Sequence, residues 1–148
     1  MENILGLCKD MEIATFQAGE VLIAEGVKTG CLFILISGTV DITKGDTFVT
    51  RIDEPGAIFG ELSILLGRDH PASVRAVHEV RCHVSPADKE FLVENSRINL
   101  AVAELLAERL KGMIGYLADL KAQYEDRQDH LGMVDELLLK MAHRMPKR

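Results

Sequence analysis

The chain has 148 residues, of which 47% are hydrophobic and 27% charged, the balance of a globular chain with one core. A net charge of −6 disfavours non-specific nucleic-acid binding by the chain as a whole. Apolar runs such as Cys31–Ile36 are far too short to cross a bilayer, so no membrane partner is expected.

Met1–Asp10 has an acidic second residue and no basic segment ahead of a long apolar run. No secretory signal is expected, and cytoplasmic residence follows as the default. Cys8, Cys31 and Cys82 lie far apart without metal-ligand spacing, which argues against a disulfide framework and against a zinc or iron–sulfur site.

The first 85 residues read as short strands separated by glycines. Glu12–Phe16, Val21–Ala24, Cys31–Ser37, Thr39–Thr43, Phe48–Ile52, Ala72–Val77 and Val80–Val84 are the predicted strands. Such spacing predicts an antiparallel β-roll of jelly-roll type rather than a parallel α/β sheet. Val80, Cys82 and Val84 alternate with Arg81 and His83, the pattern of a half-buried strand with the two polar residues outward. Ser85-Pro86-Ala87-Asp88 reads as a helix start, with Ser85 as cap, Pro86 in the first helical position and Asp88 closing a capping box. A short helix is predicted from there to about Glu94.

Ser96 can cap a second, longer helix. Ala103, Leu106, Leu110, Met113, Leu117, Leu120, Tyr124, Arg127, Leu131, Val134, Leu138, Met141 and Met145 alternate steps of three and four, and only Arg127 is polar. A seam of that period lets two helices supercoil, so a homodimer through the C-terminal helix is expected. Packing of an amphipathic helix on its own domain accounts for the first turns, where Ile98, Val102, Leu105 and Ile114 lie off the seam. Gly112, Gly115, Gly132 and the polar stretch 121–132 lower helix propensity, so the tail can instead fold back as a separate helix. The expected fold class is mainly β with C-terminal helices: residues 1–95 form the roll with an N-terminal helix and a short helix, and 96–148 form the long dimerisation helix.

Three ordered blocks in the β-rich half resemble a known family. Phe16-Gln17-Ala18-Gly19-Glu20-Val21-Leu22 with Glu25-Gly26 is similar to the opening of cyclic-nucleotide-binding domains, and Leu32–Val40 to the next family signature. Phe59-Gly60-Glu61-Leu62-Ser63, with Ala72-Ser73-Val74-Arg75-Ala76 following at ungapped spacing, resembles the phosphate-binding cassette. The resemblance implies a sensory domain of the Crp/Fnr type that binds a cyclic nucleotide, cyclic AMP or cyclic GMP, or a similar small anionic ligand, with no other cofactor. It implies ligand contacts from Phe59, Gly60, Glu61, Leu62, Ser63, His70, Pro71, Ala72 and Ser73.

The cassette chemistry has its own logic. Backbone N–H groups at the start of a short helix near Gly60 face an anion, glycine permits close approach, and Ser63 adds a neutral donor. The resemblance assigns Glu61 to a ribose hydroxyl, whereas by itself an acidic residue in a first helical turn only complements the dipole. The family's phosphate-pairing arginine falls at His70, which is either a weakened phosphate ligand or a surface histidine without a partner. Imidazole offers neither the permanent charge nor the planar fork of guanidinium. Arg68, two residues upstream on the same loop, either swings in toward the phosphate or belongs to a solvated turn, and Arg75 faces outward with Ser73. Family members that regulate transcription bind the base with hydroxyl residues on the long helix. The equivalent positions here are Met113 and Ile114, and no serine or threonine follows Ser96.

A ligand-responsive regulatory module is the leading expectation. A degenerate domain acting as an interaction scaffold for an unidentified protein is the alternative. A DNA-reading role is not expected, because about twenty residues beyond the polar break suffice for one helix and not for a winged module. An enzyme is not expected either: His70, His78 and His83 form no His-x-His pair, and no Ser/His/Asp set stands out.

Overall fold

The computed structural model describes residues 3–123 and 128–142. It contains α1 (Ile4–Leu7), β1 (Glu12–Phe16), β2 (Val21–Ile23), β3 (Cys31–Ser37), β4 (Val40–Lys44), β5 (Thr47–Ile52), β6 (Ile58–Phe59), α2 (Glu61–Leu66), β7 (Ser73–Ala76), β8 (Val80–Pro86), α3 (Lys89–Glu94), α4 (Ser96–Gln123) and α5 (Gln128–Ala142). The strands form two four-stranded sheets, ordered β1-β8-β3-β6 and β2-β7-β4-β5, with every pairing antiparallel. This is the expected mainly-β roll with C-terminal helices.

The core lies between the sheets. Phe33, Leu35, Phe59, Val80 and Cys82 come from one sheet, and Leu22, Ile23, Val40, Val74 and Ala76 from the other. β3 reads as an unbroken apolar run because both of its faces are covered. Phe33 and Leu35 enter the core, whereas Leu32 and Ile34 are fully buried on the opposite face. Outside the strands, Cys8, Ile64, Leu92, Ile98 and Val102 are buried apolar residues of the same unit. Burial pushes the Cys82 thiol up to about 12.

The covered second face overturns one strand reading. Arg81 is exposed, but His83 is buried at 6% exposure, with Nδ1 3.4 Å from the Met11 carbonyl. Alternation predicts an outward residue only where the outer face meets solvent, and around His83 it does not. The start of α3 is corrected as well. β8 runs on through Ser85 and Pro86, which lie opposite Leu32 and Cys31 of β3, so neither belongs to the helix. Asp88 is the cap, its carboxylate accepting from the Phe91 N–H at 2.8 Å. Strand pairing with β3 outweighs the capping-box pattern.

The chain divides into two compact units, the first ending at Ala103 and the second beginning at Glu104, within α4. In the second unit α4 stops at Gln123 and α5 follows from Gln128. The Lys121 ammonium pairs with the Asp135 carboxylate, fourteen residues on. Along one continuous helix those residues would be about 21 Å apart, so α4 and α5 are not parts of one straight helix. Seam positions Tyr124, Arg127, Leu131 and Met145 lie outside the residues whose side chains are described.

Candidate functional site

The segment from Phe59 to Ser73 joins the two sheets. Phe59, buried on β6 opposite Phe33, brings the chain to Gly60, which caps α2 with φ of 92°. A Cβ at Gly60 would sit 2.5 Å from the Cys31 carbonyl oxygen, so both conformation and space require glycine there. Gly67, with φ of 64°, ends the helix. Glu61 and Ser63 are buried in its first turn, while Leu62 is 39% exposed.

Ser63 does not present its proton to an open site: its hydroxyl donates to the Arg68 carbonyl at 2.5 Å and fastens the turn after α2. Arg68 and Asp69 are exposed in that turn. The loop that follows is stitched to the β2–β3 connection. The His70 N–H donates to the Val27 carbonyl at 3.0 Å, and the Gly26 N–H donates to the His70 carbonyl at 2.9 Å. Pro71 is exposed and has no N–H to offer. Ala72 and Ser73 are half-buried, and Ser73 Oγ accepts from the Glu25 N–H at 2.9 Å.

His70 is the main revision. The surface-histidine reading fails, because the residue is only 3% exposed and its Nε2 lies 2.9 Å from Thr29 Oγ1. Burial lowers its pKa from the usual 6.5, against the opposing pull of the Glu61 and Asp69 carboxylates. Burial therefore favours the uncharged ring at neutral pH.

Thr29, Glu25 and Lys44 were not legible as parts of this region. Thr29 meets His70 across 41 residues, and Lys44 Nζ donates to the Pro71 carbonyl at 2.9 Å across 27. No local motif encodes contacts made by loops that only the sheet pairing brings together. A separate cleft of about 430 Å³, lined in part by Lys28, Ser63, Gly67, Asp88 and Lys89, shares only Ser63 with the predicted cassette residues. Met113 and Ile114 of α4 are 51% and 39% exposed.

The two sheets of the β-roll are thus bridged by a glycine-started short helix and a pinned loop. Residues 13–92 match the cyclic nucleotide-binding domain family, and the chain belongs to it. It is 31% identical over 147 residues to the CRP-like cAMP-activated global transcriptional regulator of Mycobacterium tuberculosis, with 95% of this chain covered. The chain spans 63% of that relative's length. Among solved structures, the Thermus thermophilus catabolite activator protein shares the fold with a TM-score of 0.63 at 21% identity, over 84% of this chain and 59% of that one. A PKAR CBD2 structure bound to Sp-2Cl-cAMPS shares it with a TM-score of 0.58 at 24% identity, over 80% of this chain and 88% of that one. No helix among the described residues is long and apolar enough to cross a membrane.

Proposed function

We propose that this chain is a regulatory module that binds a cyclic nucleotide in the roll and transmits its bound state through the helices after β8. The observation that carries the proposal is the Gly60–Glu61 start of α2, where the backbone is held in a left-handed turn against Cys31 and a buried carboxylate follows. In this reading the first N–H groups of α2 cradle the phosphate and Glu61 accepts from a ribose hydroxyl. Phe59 and Leu62 border the ligand, and His70, Pro71, Ala72 and Ser73 form the facing loop. Ser63 supports the cassette through its bond to Arg68. Cyclic AMP is the first ligand to test, because the curated relative is cAMP-activated. The free thiols of Cys8, Cys31 and Cys82 fit a reducing cytoplasm.

Titration calorimetry with cyclic AMP and cyclic GMP tests this directly. The parent is expected to bind one of them, and Glu61→Ala to weaken binding by about tenfold or more, the cost of a lost hydrogen bond to a charged group. His70 without a charge and Pro71 without an N–H favour a second reading, a scaffold that no longer binds nucleotide. Absence of heat at millimolar ligand would establish it.

Transmission in this reading runs through a homodimer. Leu110 and Met113 lie on the heptad seam of α4 and are 40% and 51% exposed. Burying each against a partner contributes about 1.5–3 kcal/mol at most. Leu110→Asp is the suitable probe, since Leu117 is already half-buried within the monomer. Sedimentation equilibrium is expected to show two chains for the parent and one for Leu110→Asp, and a monomeric parent at tens of micromolar rules the dimer out.

A further inference from the structure

Position 70 carries no guanidinium and burial disfavours the charged form of its histidine, so the charge of an anionic ligand calls for another partner. Four cations approach this region. Arg75 Nη1 donates to the Gly19 carbonyl on the outward side of β7. Lys28 Nζ reaches the Gly67 carbonyl, past the end of α2, at 3.4 Å. Arg68 is exposed in the turn between that end and His70. Lys44 differs from these three in both place and direction.

β4 pairs with β7 as Val40↔Ala76, Ile42↔Val74 and Thr43↔Ser73, which brings Lys44 level with Ala72. The bulge in the β4–β5 pairing places its extra residue, Val49, on β5, so β4 alternates without interruption. Val40 and Ile42 pack into the core between the sheets, and two-residue alternation puts Lys44 on that same inward face, at the open end of the strand. Its ammonium donates to the Pro71 carbonyl at 2.9 Å, one residue beyond His70. Among the described residues no carboxylate pairs with it. The nearby Glu25 carboxylate instead accepts from the Gly45 N–H at 2.8 Å and ties the β4–β5 turn to the β2–β3 loop. An ammonium has three donors and the Pro71 carbonyl takes one.

We propose that the Lys44 ammonium, held over the Pro71–Ala72 loop on the inward face of β4, is the charge partner of the ligand's anionic phosphodiester. It replaces the guanidinium that position 70 does not supply. The proposal rests on the cyclic-nucleotide reading above. It makes the phosphate contact a point-charge interaction from the β4 tip rather than a bidentate one from the cassette itself. It also makes affinity sensitive to ionic strength, because the ammonium is solvent-exposed.

The test is calorimetric titration of cyclic AMP and cyclic GMP into the parent, Lys44→Met, Lys44→Arg and Arg68→Met, each at low and high salt, with melting temperatures as a fold check. Lys44→Met is expected to lose about 10- to 100-fold in affinity and most of the salt dependence, the scale of one charge-assisted hydrogen bond. Lys44→Arg is expected to keep most of the affinity, and Arg68→Met to bind as the parent does. A parent that binds while Lys44→Met matches it overturns the assignment and leaves the cyclic-nucleotide reading standing. So does a loss confined to Arg68→Met. No binding by any of the four proteins, or by His70→Arg, at millimolar nucleotide removes both.

Discussion

His70→Arg is expected to raise affinity for cyclic AMP at pH 8 by about 10- to 100-fold, the contribution of one hydrogen bond to a charged group. The substitution puts a permanent, forked cation where the parent has a buried, neutral ring bonded to Thr29. The Glu61 and Asp69 carboxylates that already bias His70 toward the charged form would favour the guanidinium too. The pH dependence separates the two proteins. In the parent, free His70 has its pKa lowered by burial from 6.5, and a bound phosphodiester would raise it. A pKa higher in the complex than in the free protein means that binding takes up a proton between the two values. Parental affinity should therefore be level above both, rise as pH falls through the bound-state pKa, and level off again below the free-state pKa. The arginine variant has no such step. Titrations from pH 8 down to pH 5 decide the matter, because a histidine begins to titrate near ~6.5 in that span. Equal binding by parent and variant across the whole range would show that position 70 does not face the phosphate.

The second large effect belongs to Gly60. Gly60→Ala should destabilise the roll by about 2–5 kcal/mol, combining a strained left-handed residue with overpacking. The clash is with backbone, the Cys31 carbonyl at 2.5 Å, so no side-chain rotation relieves it. Gly67→Ala is the comparison. Gly67 is also left-handed, at φ of 64°, but a Cβ there meets nothing within 4 Å. Its cost should be about 1–2 kcal/mol, the conformational part alone. Urea unfolding of the two variants beside the parent measures the difference. In any Gly60→Ala protein that folds, nucleotide binding should be lost, because the first turn of α2 is displaced. Equal stabilities for the two variants would mean that β3 yields and that the close approach at Cys31 is not a constraint.

Much of this protein is determined by its sequence alone, wherever the information is local and periodic. Strands such as Glu12–Phe16 and Cys31–Ser37 appear within their predicted bounds, because two-residue alternation and glycine punctuation act over a few residues. What only the tertiary structure decided is whatever depends on a second segment being present. β6 is two residues long and exists because Phe33 and Ile34 of β3 pair with it. His83 is buried because a second layer covers the outer face of its sheet, which no alternation within β8 announces. Ser85 and Pro86 belong to β8 because β3 is long enough to pair with them. At the candidate site the residue types of the cassette were legible, but the state of His70 was not. Its hydrogen-bond partner Thr29 comes from another loop, and the neighbouring cation, Lys44, comes from the tip of another strand. Desolvation and charge act through space, and only the folded chain determines which groups share that space.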